Sequence, residues 1–179
     1  VKNIIHVDEK KDIIFFTSNR RSVLDNHLYS IRFDGTELTL LTPEPGVHRV
    51  SMNSTGTGFI DSYSSVDQPP RIVYRNINGE LIRTIGTTDE DQVKSQDISI
   101  PKIVRFPTSD GETVLNGVIT YPVNYEPGVA YPLIVYGYGM PGTQIVWNRW
   151  SRGLQQFLAK QGYMIFSMDS RGMSGRGRD

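Results

Sequence analysis

Pro132-Leu133-Ile134-Val135-Tyr136-Gly137-Tyr138-Gly139-Met140-Pro141-Gly142-Thr143-Gln144 is an apolar run that ends in a glycine-rich turn with a tyrosine at its centre. Such a run reads as a buried strand that delivers backbone N–H groups and one side chain to the C-terminal edge of a sheet. In open α/β sheets that edge is where ligands bind. A helix is expected next, from about Arg149 to Gln161. Trp150, Leu154, Phe157, Leu158 and Gln161 fall at three- and four-residue spacing and form one apolar stripe on it. Gly162 stands where a helix-ending glycine belongs, and Tyr163 to Met168 is a second apolar strand. Strand, helix, strand with continuous apolar strands predicts a parallel βαβ unit.

Upstream of this unit, Lys102 to Phe106 and Leu115 to Tyr121 flank Ser109-Asp110-Gly111 and read as a hairpin. Residues 87 to 99 are polar and rich in Asp, Glu and Gln, which predicts a linker or a short connecting helix. Before them the grammar is all β. Ile13 to Thr17, His27 to Phe33, Leu38 to Leu41, Val50 to Met52, Phe59 to Ser64, Arg71 to Arg75 and Leu81 to Ile85 are short strand-type runs separated by turn signals. Strand, Asp-Gly or Asn-Gly, strand occurs twice, at Asp34-Gly35 and Asn78-Gly79, about 44 residues apart. Short strands so spaced suggest a sandwich or a propeller, and this repeat, near the period of a propeller blade, favours the propeller. Too few strands are present to close a ring, so one or two blades are expected. The division is 1–95 for the blades and 96–179 for the α/β part.

The chain has 179 residues, no cysteine, and 19 basic against 19 acidic residues. Neutral charge argues against nucleic acid as the main partner. Without cysteines there is no disulfide framework and no thiolate metal site. No apolar run reaches the ~20 residues of a spanning helix. Val1 opens the chain in mid-pattern with no visible leader, so both ends look like cut points.

Two segments carry a resemblance. Tyr136 to Gln144 is similar to the Tyr-Gly-Gly-Pro loop of the prolyl oligopeptidase group of serine peptidases. Asp169-Ser170-Arg171-Gly172-Met173-Ser174-Gly175-Arg176-Gly177-Arg178-Asp179 is similar to its Asp-x-Arg-Gly strand end. With blade-like strands in front, the order of parts most resembles the dipeptidyl peptidase IV subfamily. Asp110 to Gly117 matches the opening of its hydrolase domain, and Leu41 to Gly46 and Asp61 to Pro70 match its last propeller strands.

The resemblance implies the end of a β-propeller followed by the N-terminal portion of an α/β-hydrolase domain. It implies a serine-type peptidase that releases N-terminal dipeptides through an acyl-enzyme. Ser, Asp and His of the triad lie downstream in that family, and no G-x-S-x-G occurs here. This chain alone is therefore expected to be inactive. One catalytic role carries over: Tyr138 matches the loop tyrosine that helps form the oxyanion hole, with Tyr136 as its competitor two residues earlier. Met140 stands where the family has glycine. The resemblance implies a peptide substrate and no cofactor. It allows a homodimeric parent, and it implies a periplasmic, secreted or membrane-attached location through an upstream segment. A non-catalytic propeller interaction module and an α/β-hydrolase esterase are the alternatives.

Other motifs are weighed against blander readings. Gly137 to Gly142 formally fits the G-x-G-x-x-G of a dinucleotide site, and Asp169 ends the next strand. A bulky Tyr138 between the first glycines, a late helix and the blades in front all speak against it. His6, His27 and His48 are scattered in the β half, and no metal site is expected. Asp169 and Arg171 read as a loop lock, through backbone hydrogen bonds or a local ion pair. Trp147 and Trp150 read as packing residues, and Ser174 as loop. The Gly/Arg tract from Arg171 to Arg178 is too short for RNA binding.

Overall fold

The computed structural model describes residues 1–140, 142–150 and 153–175. Among these residues twelve strands form three four-stranded sheets, joined by two short helices. The first sheet is the antiparallel meander β1 (Asn3–Asp8), β2 (Ile13–Ser18), β3 (His27–Arg32) and β4 (Thr39–Leu40). The second repeats that plan with β5 (Val47–Met52), β6 (Gly58–Ser64), β7 (Arg71–Asn76) and β8 (Leu81–Thr87). Asp34-Gly35 and Asn78-Gly79 turn the third strand into the fourth in the first and second sheet respectively, and Gly35 and Gly79 share a φ near +85°. The repeat read from these dipeptides is thus a structural one. β1 is the strand that alternation does not reveal, because a bulge between Ile4 and His6 breaks its period of two.

The two sheets share a core. Phe15, Leu28 and Leu41 meet Phe59, with Ile5, Ile13, Val50, Met52 and Ile77 around them. Each fully buried side chain of this size contributes roughly 1.5–3 kcal/mol.

The polar linker holds helix α1 (Glu90–Lys94). Asp89 caps it by accepting from the amides of Asp91 and Gln92 at 2.9 and 3.2 Å. The third sheet contains β9 (Lys102–Pro107), β10 (Val114–Thr120), β11 (Leu133–Gly137) and β12 (Met164–Met168), in the order β11-β12-β10-β9. β11 and β12 are parallel, and helix α2 (Leu154–Lys160) lies between them in sequence. The βαβ unit read from the sequence is present.

Three expectations are corrected. The helix begins at Leu154 and not at Arg149. Gly153 has a φ of +124°, outside helical space, and the Trp150 amide already donates to Ser64 Oγ at 3.2 Å. Ser151 and Arg152 lie outside the described residues. The apolar stripe is not the buried face: Leu154 is 68% and Phe157 59% exposed, while Gln156 and Ala159 point inward. Gln156 explains that rotation. Its carboxamide accepts from the Ser99 amide at 3.0 Å and donates to the Ser99 carbonyl at 2.7 Å, which turns this side of the helix toward β10 and β12. Finally, β11 is not buried. It is the outermost strand of its sheet, and Leu133, Val135 and Tyr136 are exposed. Tyr136 therefore does not pack within the sheet. Gly162 ends the helix as expected, with the Tyr163 amide bonded to the Leu158 carbonyl at 3.1 Å.

Candidate functional site

β11 ends at Gly137, and Tyr138 is the first residue after it. The ring is 44% exposed. Its hydroxyl donates to Met140 Sδ at 3.8 Å, a weak thioether acceptor. Met140, which stands where the family has glycine, is itself exposed and is the group that holds the phenol. An O–H donor so loosely held at a sheet's C-terminal edge is available to a stronger acceptor, such as an oxyanion.

The rest of the loop is fixed closely. Met140 O accepts from the amide and hydroxyl of Thr143 at 3.3 and 2.6 Å. Thr143 O accepts from the Ser174 amide at 2.9 Å, so Ser174 is loop, as expected. Asp169, buried at the end of β12, accepts from the amides of Ile145 and Val146 at 2.9 and 3.2 Å. This is the backbone lock expected of that carboxylate. Arg171 does not pair with it. Its guanidinium reaches the β9–β10 turn instead, bonding Asp110 and Thr108. Hydrogen bonds from Thr108 and from Arg171 hold the Asp110 carboxyl well below the usual carboxylate range. Trp147 is half-buried, donates to Gln144 O at 3.0 Å and carries Lys2 Nζ over its ring at 4.4 Å. Arg176 to Asp179, the end of the Gly/Arg tract, and Pro141 of the glycine motif lie outside the described residues. The glycines open no helix: α2 begins well beyond Gly142.

Two of the three histidines form a site of another kind, which the sequence reading missed. His27 and His48 are fully buried with ring centroids 5.0 Å apart, and His48 stacks on Tyr63. His48 Nδ1 lies 2.9 Å from both Asp61 oxygens, and its Nε2 lies 2.9 Å from the Glu44 carbonyl. Arg75 donates from Nε to Asp61 at 3.1 Å and from an η nitrogen to Glu44 at 2.7 Å. Burial opposes ionisation of Glu44, but the hydrogen bond and charge of Arg75 outweigh it and its pKa falls. This buried cluster joins β3, β5, β6 and β7 and is structural. Among the described residues no group of His, Cys, Asp and Glu could hold a metal. A signal was present: His48, Asp61 and Arg75 occupy inward positions of three consecutive strands, on faces that also carry the apolar Val50, Met52, Phe59, Tyr63 and Val73.

Comparison with known proteins defines the class first. The model of the dipeptidyl peptidase IV N-terminal region matches residues 1–70. The fold matches dipeptidyl peptidase 4 of Porphyromonas gingivalis with a TM-score of 0.90 at 24% identity, over 99% of this chain and 25% of that one. A putative dipeptidyl aminopeptidase IV of Bacteroides ovatus aligns with a TM-score of 0.84 at 27% identity, over 98% of this chain and 25% of that one. The mostly-β architecture is thus that of a dipeptidyl peptidase 4 β-propeller region. Among curated proteins, a probable dipeptidyl peptidase 4 of Aspergillus fumigatus is 29% identical over 99% of this chain and 24% of its own length. A probable dipeptidyl-aminopeptidase B of Uncinocarpus reesii is 30% identical over 96% of this chain and 19% of its own. The chain spans about a quarter or less of the length of the curated relatives it matches. The resemblance is borne out at the level of the chain: over almost its whole length it is similar to dipeptidyl peptidase IV proteins.

Proposed function

We propose that the chain is part of a serine-type peptidase that releases N-terminal dipeptides through an acyl-enzyme. In this reading residues 1–95 are the last blades of a propeller and residues 96–179 open an α/β-hydrolase domain. The triad comes from residues beyond Asp179, and the substrate is a peptide. A periplasmic, secreted or membrane-attached location follows from the family habit alone.

The observation that carries the proposal is Tyr138. Its phenol stands at the end of a parallel strand, on a loop fixed by Asp169, with a thioether for its acceptor among the described residues. When the serine attacks the scissile carbonyl, charge develops on the carbonyl oxygen. A phenol O–H aimed there, together with a backbone N–H, stabilises the tetrahedral intermediate more than the substrate, which lowers the barrier of the chemical step. The test is Tyr138→Phe in the full-length protein, assayed with a chromogenic Xaa-Pro substrate. We expect kcat to fall about 10²–10³-fold with KM little changed, the usual result of removing an oxyanion donor. An unchanged kcat overturns the assignment.

A further inference from the structure

The loop that carries Tyr138 is bound on both sides. Toward its own sheet it hangs from Asp169 and Ser174. Toward the blades it makes a second set of bonds, and Asn148 is at their centre. Asn148 Nδ2 donates to Asp25 Oδ1 at 2.9 Å, its Oδ1 accepts from the Val66 amide at 3.1 Å, and its own amide donates to the Leu24 carbonyl at 3.0 Å. One side chain thus joins the stretch before β3 to the stretch after β6 and ties both to the loop. Gln144 adds to this, donating to the Val23 carbonyl at 2.7 Å and the Val146 carbonyl at 2.9 Å. From Thr143 to Asn148 the loop is pinned at several points by bonds already named, so a shift at Asn148 is passed along a stiff chain toward Tyr138.

The acceptor on the blade side is a charged one. Burial alone would raise the Asp25 carboxyl, but the neighbouring His27 imidazole, 3.7 Å away, the hydrogen bond from Asn148 and the charge of Arg21 outweigh it, and the net direction is down. A carboxylate so held accepts from Nδ2 more strongly than a neutral group would. Neither an alanine nor a carboxylate at 148 can donate in its place.

We propose that Asn148 is a positioning residue: its carboxamide, clamped between the Asp25 carboxylate and the Val66 amide, sets where the Tyr138 loop stands relative to the blades. The kinetic part of this rests on the reading of Tyr138 given above. Asn148 touches no reacting atom, and it acts through the placement of the loop.

The test uses the full-length protein and the variants Asn148→Ala, Asn148→Asp and the exchanged pair Asp25→Asn with Asn148→Asp. The exchanged pair reverses the direction of the bond. Its carboxamide at position 25 donates to the carboxylate at position 148, whose other oxygen still accepts from the Val66 amide. Both single variants are expected to lose between about tenfold and about a hundredfold in kcat with KM within about threefold, the scale of a small misplacement. Peptides covering residues 143–148 are expected to exchange amide hydrogen faster in both. The exchanged pair is expected to restore both readouts. Wild-type exchange over 143–148 in Asn148→Ala, or failure of the exchanged pair to restore it, overturns the proposal. Tyr138→Phe is assayed alongside. If it leaves kcat unchanged while exchange behaves as expected, the oxyanion reading fails and the positioning by Asn148 stands.

Discussion

Replacing Asp61 by Asn keeps the shape of the side chain and removes its charge and one acceptor oxygen. In the folded protein this carboxylate is fully buried, and it faces two donors: His48 Nδ1 at 2.9 Å and Arg75 Nε at 3.1 Å. Arg75 is itself 2% exposed. A carboxamide offers one acceptor oxygen, and its NH2 group must face either the imidazole or the guanidinium. Arg75 then keeps only Glu44 as a charged partner. Removing one partner of a buried pair costs about 3–5 kcal/mol, and here the guanidinium loses its fully buried counter-charge and keeps only the part-exposed Glu44 carboxylate. The expected outcome is a loss of that size in urea unfolding, read in parallel by far-UV circular dichroism and tryptophan fluorescence. Adding Arg75→Met takes away the stranded charge, so the double variant should be more stable than Asp61→Asn alone, although it carries one change more. A loss below about 1 kcal/mol, or a double variant weaker than the single one, would refute the view that this network is held by its charges.

Other outcomes follow from the same structure. Asp25 and Glu44 have pKa values depressed in the fold, so the stability they contribute is fully present above their ordinary values of 3.8 and 4.5 and is lost as pH falls through and below them. Urea midpoints should drop on acidification in that window, and Asp25→Asn should flatten the drop; an unaltered slope would count against the Asp25 assignment. Gly46 has a φ of +127°, and a Cβ there would clash with the Ser64 carbonyl oxygen. Gly46→Ala should therefore cost about 3 kcal/mol or more, since strain and a backbone clash add. A thermal melt within a degree or two of the parent would argue against so close an approach.

Much of the fold was legible because its strands obey simple rules. His27 to Arg32 alternates, Asp34-Gly35 and Asn78-Gly79 turn matching hairpins, and the parallel pair of β11 and β12 was readable from two apolar runs around a helix. What failed depended on partners far along the chain. Spacing alone put Leu154 and Phe157 on the inner face, yet the bonds between Gln156 and Ser99 decide which side of the helix turns in. Arg171 looked like a neighbour of Asp169, yet its carboxylate is Asp110, 61 residues upstream. Tyr138 could be picked out as a candidate because a tyrosine in a glycine turn is conspicuous. Asn148 could not, because neither Asp25 nor Val66 is near it in sequence.

Those distances have a consequence for synthesis. Asn148 lies 123 residues after Asp25 and 82 after Val66, and Gln144 lies 121 after Val23. The blades can form by local hairpin closure as they emerge, but the loop that fastens them cannot. At ordinary translation rates Asp25 waits on the order of ten seconds for the side chain that will bind it. Closing so long a span makes this seam a late event in folding. For that interval the cleft that receives the loop stands open, and a chaperone would find an opportunity there.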